Sequence, residues 1–276
     1  MRTITLATRR PFSWKAYVAL LALLGLASVA TIPEAMAALR RVREESSILV
    51  PPWLACAIVA LTFLLLGASL GGIGLLLAGR IGLGLPFIEG WCKREAIWGK
   101  LRGMLVLSVV IGVVASLLGV ALDELVFDPL LESESNRLRI TLSAGVLRPG
   151  PAWLWPTMIF AGPIWEEVVC RLFGLTLLAW LMGQVSHNDA GRPTPAVFWI
   201  ANALVAAVFG LVHLPPGALT GAPLSLIVIR ITQAMACPGL GGLALGWLYW
   251  KQGLESAMLA HSSANIAVML VGPLLP

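Results

Sequence analysis

Six side chains in three short stretches have the types and spacing to do chemistry. Glu166, Glu167 and Arg171 lie in Gly162-Pro163-Ile164-Trp165-Glu166-Glu167-Val168-Val169-Cys170-Arg171, inside strongly apolar surroundings. Charges at membrane depth are costly, so they mark either function or a buried pairing. On a helix, Glu167 and Arg171 are i, i+4 neighbours with the acid first, the favourable order. Glu166 projects about 100° away around the same helix. This predicts that Arg171 neutralises Glu167 and leaves Glu166 free. The plainer alternative is a structural ion pair with a second acid facing a water-filled cavity. The second stretch is Phe209-Gly210-Leu211-Val212-His213, at the end of an apolar run. The third is His261-Ser262-Ser263-Ala264-Asn265, whose imidazole and carboxamide share one helix face. Of the three histidines, His187 sits in a polar turn and reads as solvated.

A carboxylate, two imidazoles and an amide suit water activation by Glu166 with His213, and oxyanion stabilisation by His261 and Asn265. The same parts suit a zinc site of Glu166, His213 and His261 with an open fourth position. Spacing alone leaves both open.

The elements that must position these groups are membrane spans. The chain is 58% hydrophobic and 12% charged over 276 residues, with a mean hydropathy of +0.89. Apolar runs of about 20 residues, each able to cross the hydrocarbon, recur along it. The expected fold is an all-α polytopic membrane protein of seven or eight transmembrane helices, with the active site inside the bundle. The net charge of +5 then reflects loop placement, and no nucleic acid partner is expected. Four scattered cysteines indicate neither a zinc cluster nor a disulfide framework. Tryptophans at segment ends suit interfacial belts.

Two regions are expected: 1–150, three spans plus a polar loop, and 151–276, which carries the chemistry. Thr8-Arg9-Arg10-Pro11-Phe12 before an apolar run, with Ala35-Met36-Ala37 beyond, resembles a twin-arginine signal; an uncleaved signal-anchor is the preferred reading. Spans are placed at 16–39, 51–79 and 103–122, with a basic connector at 80–102 and a solvated acidic loop at Asp123–Pro149. Gly71-Gly72-Ile73-Gly74 offers a close-packing face. Pro163 is expected to open a helix to 183, which places Glu166 and Glu167 near the positive end of its dipole. The next helix, 195–214, runs antiparallel and brings His213 to the depth of the glutamates. Residues 222–250 read as one kinked span or two short passes broken at Cys237-Pro238-Gly239, before a last span at 254–275. Arg230 lies deep in that segment, either snorkelling outward or lining the substrate cavity to bind a peptide carbonyl or terminal carboxylate.

Taken in order, Glu-Glu-x-x-x-Arg (166–171), Phe-x-x-x-His (209–213) and His-x-x-x-Asn (261–265) resemble the CPBP or ABI family of intramembrane proteases, which includes the type II CAAX prenyl endopeptidases. Leu243-Ala244-Leu245-Gly246-Trp247-Leu248-Tyr249 and Gly253-Leu254 are similar to a less specific family motif. The resemblance spans about 150–275. It implies endoproteolysis of a membrane-associated protein or peptide near its C-terminus. It assigns Glu166 and His213 to the catalytic water, His261 and Asn265 to the oxyanion, and Glu167 with Arg171 to support. It also favours a glutamate mechanism without bound metal over zinc. Leu172 departs from the family pattern, where many members carry glycine after the arginine, and this bears on local helix packing.

Rival readings are a proton-coupled transporter, or a non-enzymatic immunity or scaffold protein with an idle site. A repeat-built transporter would repeat the charged motif in the first half, and it does not recur there. Four lysines against fifteen arginines point to a GC-rich bacterial genome and an inner-membrane location. With the N-terminus inside, ten Lys/Arg lie inside and seven outside, which favours a site opening outward. The prenyl-protease resemblance suggests a cytosolic opening instead.

Overall fold

The structure is a computed structural model that describes residues 12–45, 51–138, 152–215 and 217–274. Among these residues it is all helix and turn, with one isolated bridge between His187 and Pro193. Arg9 and Arg10 of the signal-like stretch lie outside the described residues.

Helix α1 (Trp14–Ala30) is capped by Ser13, whose hydroxyl accepts from the Ala16 amide. It continues past Thr31 into α2 (Ile32–Glu45), which contains Ala35-Met36-Ala37. Helix α3 (Pro52–Ile81) opens on a proline, whose missing donor costs nothing in a first turn, and closes on Gly82 at φ +83°. The basic connector holds a short helix, α4 (Pro86–Cys92).

Helix α5 (Trp98–Leu122) does not give way to a loop. It runs through a π-helical turn (Asp123–Phe127) into α6 (Asp128–Leu138). The solvated loop expected at Asp123–Pro149 is therefore helix up to residue 138; residues 139–149 lie outside the described ones. The physical reason is that hydropathy marks where a chain leaves hydrocarbon, not where its helix ends. Leu, Glu, Ser and Arg all continue a helix in water.

A second correction concerns the chemistry-bearing helix. It starts at Ala152, not at Pro163, and passes through a π turn (Thr157–Ala161), α7 (Gly162–Glu167), a longer π stretch (Val168–Leu175) and α8 (Thr176–Gly183). The glutamates thus lie about four turns inside the run, away from any helix-end dipole. Prolines explain two of the π turns. Just before Pro129 and Pro163, the amides of Asp128 and Gly162 reach back five residues, to the carbonyls of Asp123 and Thr157. This widened register lets the ring pass without ending the helix.

Helix α9 (Pro195–Val212) is capped by Thr194 and ends at His213. Helix α10 (Leu224–Ala234), a π turn holding Pro238 (Met235–Gly239) and α11 (Leu240–Gln252) form one continuous run, which favours a single span over two passes. Gly253, at φ +100°, turns the chain into α12 (Leu254–Val271). Among the described residues, six helices are long and apolar enough to cross a membrane; the run 152–183, which carries three charges, is not one of the six.

Small residues let these helices approach closely, as hydrocarbon-embedded packing requires. Gly74 of α3 sits against the Leu172 backbone carbonyl, and Gly71 against Leu20 and Val168. The space that a glycine at 172 would leave is thus provided by Gly74 on the partner helix, while the Leu172 side chain is fully buried. Helix α5 lies along α12: Ser108 and Ser256 share a 2.7 Å hydrogen bond, and a Cβ on Gly112 would overlap the Ala260 carbonyl. That contact predicts that Gly112→Val lowers stability by about 1–3 kcal/mol through overpacking. Thermal unfolding in detergent measures it, and a wild-type melting temperature would show that α5 and α12 can part freely.

Candidate functional site

Glu167 is fully buried in α7. Its Oε1 accepts from Arg171 Nη1 at 2.9 Å, the predicted i, i+4 pair, and from His261 Nδ1 of α12, also at 2.9 Å. Arg171 is equally buried. Its Nη2 donates to the Gly242 carbonyl of α11 at 2.9 Å, and its guanidinium carbon lies 4.4 Å from the centre of the Phe209 ring of α9. Gly242 eases this approach, since a Cβ there would come within 3.3 Å of Arg171 Nη2 and 3.1 Å of the Phe209 ring.

The two imidazoles are fixed by their Nδ1 partners. His213 Nδ1 lies 2.6 Å from the Phe209 carbonyl oxygen. A carbonyl only accepts, so Nδ1 carries a proton. By the same logic His261 carries a proton on Nδ1 toward Glu167. Both rings then turn Nε2 toward Glu166, whose Oε2 is 3.9 Å from His213 Nε2 and 3.8 Å from His261 Nε2. Those separations are too long for direct hydrogen bonds. Glu166 Oε2 is buried and has no hydrogen-bond partner among the described residues.

Asn265 completes the cluster from α12, and its Nδ2 donates to the Met158 carbonyl at 2.7 Å. In the π register Met158 would bond to the amide of residue 163, and Pro163 has none. The carboxamide supplies the donor that the proline lacks and keeps one N–H in reserve.

A cavity of about 270 Å³ opens onto the site, lined by Glu166, His213, His261 and Asn265 among others. The four residues expected to do chemistry are therefore brought together. The sequence reading missed the opposite wall, formed by Gly112, Ala115, Ser116 and Gly119 of α5. Their spacing of three or four is the available signal, a small-residue face on a helix otherwise distinguished only by hydrophobicity.

Arg230 is not among the residues lining this cavity. It is 2% exposed, so it does not snorkel, and its Nη1 donates to Gln233 at 3.3 Å. Gln233 in turn donates to Asp123 at the end of α5. Arg230 thus faces the interior, and the far side of its network lies on the helical extension that the sequence presented as a loop. His187 is exposed, as expected of a turn. All four cysteines are free.

Residues 148–267 match the model of the family described as type II CAAX prenyl endopeptidase Rce1-like. No curated protein and no solved structure matches the chain.

Arg171→Ala would leave Glu167 buried with His261 as its remaining partner, at an expected cost of about 3–5 kcal/mol. Melting in detergent should fall along with activity. Unchanged melting with lost activity would instead make Arg171 a direct participant in the chemistry.

Proposed function

We propose that the chain, whose residues 148–267 are Rce1-like, is an intramembrane endopeptidase that cuts a membrane-associated protein or peptide near its C-terminus. The supporting observation is the convergence of Glu166 Oε2 with the Nε2 atoms of His213 and His261, at 3.9 and 3.8 Å, on the wall of a cavity. One water at about 2.8 Å from each of two acceptors bridges such a gap. Neutral His213 presents an unprotonated Nε2, and Glu166 presents a carboxylate, so a water donates one proton to each. As the water oxygen attacks the scissile carbonyl carbon, Glu166 takes up its proton. When the C–N bond breaks, Glu166 passes that proton to the departing nitrogen.

The oxyanion needs donors in place before charge develops. In this step His261 acts as the imidazolium, offering Nε2–H to the oxyanion while its Nδ1 stays on Glu167 Oε1. The second N–H of Asn265 is the other donor. Arg171 holds Glu167 in this orientation through its 2.9 Å hydrogen bond.

A His2Glu zinc site from Glu166, His213 and His261 would supply a Lewis acid instead. The donor types suit zinc, and the Nδ1 hydrogen bonds are of the kind that metal-binding histidines make. Among the described residues, however, no group of three His, Cys, Asp or Glu is spaced to hold an ion. We assign the enzyme to a bacterial inner membrane on its arginine-rich, lysine-poor composition.

Reconstituted with a membrane-bound reporter, Glu166→Gln and His213→Ala should each lose about 10²–10⁴-fold in kcat/KM while melting as wild type does. Retention of most activity by Glu166→Gln would sink the water-activation role. Purified wild type should contain little zinc by elemental analysis and survive prolonged chelation. Stoichiometric zinc, lost together with activity in His261→Ala, would replace this mechanism with the metal one.

A further inference from the structure

A second cavity, of about 530 Å³, lies at the opposite ends of the helices that build the site. Gly99, Lys100 and Gly103 of α5 line it, together with Trp250 and Lys251 of α11 and the backbone of Gly253 at the start of α12. The groups assigned to catalysis do not reach it. Its glycines keep side-chain bulk out, while its two lysines contribute positive charge and no carboxylate lines it. Lys251 lies with its Nζ 3.6 Å from the centre of the Trp250 ring, which holds it at the rim.

The surroundings reinforce that charge. Arg192 packs against Gly82, which also lines the cavity, and Arg80 lies over Trp180. Lys93, Arg94 and Arg102 belong to the same connector. The neighbouring acids are Glu89, beside Gly84, together with Glu95 and Glu255. Glu255 Oε1 accepts from the amides of Phe87 and Ile88 at 3.1 and 2.9 Å, while its Oε2 is buried beside Gly253 without a hydrogen-bond partner among the described residues. Trp91 and Trp98 are 72% and 76% exposed at this end, which sets it at the level of the lipid headgroups. Phe87 and Met104 make part of the lining apolar.

We propose that this cavity binds the phosphate of an anionic phospholipid headgroup, held by Lys100 and Lys251. Phosphate is the shared chemistry. A lipid is the favoured source because the cavity is partly apolar and opens at the tryptophan level, where basic pockets between transmembrane helices meet headgroups. The site is independent of the catalytic reading, so its test reads binding, not cleavage.

Purified protein in neutral detergent is titrated with phosphatidylglycerol, phosphatidylcholine or inorganic phosphate, and followed by native mass spectrometry and by melting temperature. Phosphatidylglycerol should bind at least tenfold more tightly than phosphatidylcholine, and inorganic phosphate should neither raise melting nor displace it. At about fivefold per lysine, Lys100→Gln with Lys251→Gln should weaken binding roughly 30-fold, while Lys93→Gln with Arg94→Gln, outside the lining, should cost less than threefold. If the double variant fails to accumulate, Lys100→Gln alone should lose about fivefold. Equal binding of the two lipids overturns the proposal, as does an equal loss in the connector variant, which would indicate a diffuse basic surface. Inorganic phosphate that stabilises the protein and displaces the lipid would reassign the cavity to a soluble phosphate.

Discussion

The constraint on which the site depends is the burial of Glu167. A carboxylate removed from water must find charge and hydrogen bonds nearby. This one finds both through a single oxygen, which accepts from Arg171 on its own helix and from His261 on α12. Arg171 then has to spend its other arm on the Gly242 carbonyl and its flat face on Phe209. Four helical runs are thereby tied to one carboxylate. Such a pair is weak evidence for net stability, since desolvation offsets much of the attraction. Its visible result is orientation: the His261 imidazole is turned so that its Nε2 faces Glu166.

Two irregularities of the backbone serve the same end. The π turn before Pro163 leaves a carbonyl without its intrahelical donor, and Asn265 fills the gap. Wide turns of this kind are concentrated at functional sites because they redirect side chains without ending a helix. The glycines act between helices. Gly74 admits the backbone of the site helix, Gly112 admits α12, and Gly242 admits a guanidinium. Between apolar spans in lipid, close approach through small residues takes the place of hydrophobic burial.

The charge distribution gives the bundle two unlike ends. Beyond the site end, the helical extension carries Asp123, Glu124, Asp128, Glu132 and Glu134, and Asp123 anchors the Gln233–Arg230 network. The other end holds the basic connector and the lysine-lined cavity.

The amino-acid sequence alone determined the helical membrane class, because the hydropathy and length of each span follow from composition. It also determined the Glu167–Arg171 pair and the meeting of Glu166, His213, His261 and Asn265. These depend on helical period and on antiparallel neighbours, both of which are local or topological. Tertiary structure decided what depends on distant partners. Helix continuity through 123–138 and from 152 was hidden because polarity and proline are read as breaks, whereas backbone hydrogen bonds can shift register and continue. Arg230 needed Asp123, more than a hundred residues away, to reveal a structural place. Asn265 looked like a pure oxyanion donor until its contact with Met158 appeared. The α5 wall of the cavity could be recognised only once α12 lay against Gly112, since a small residue announces itself by what comes close to it.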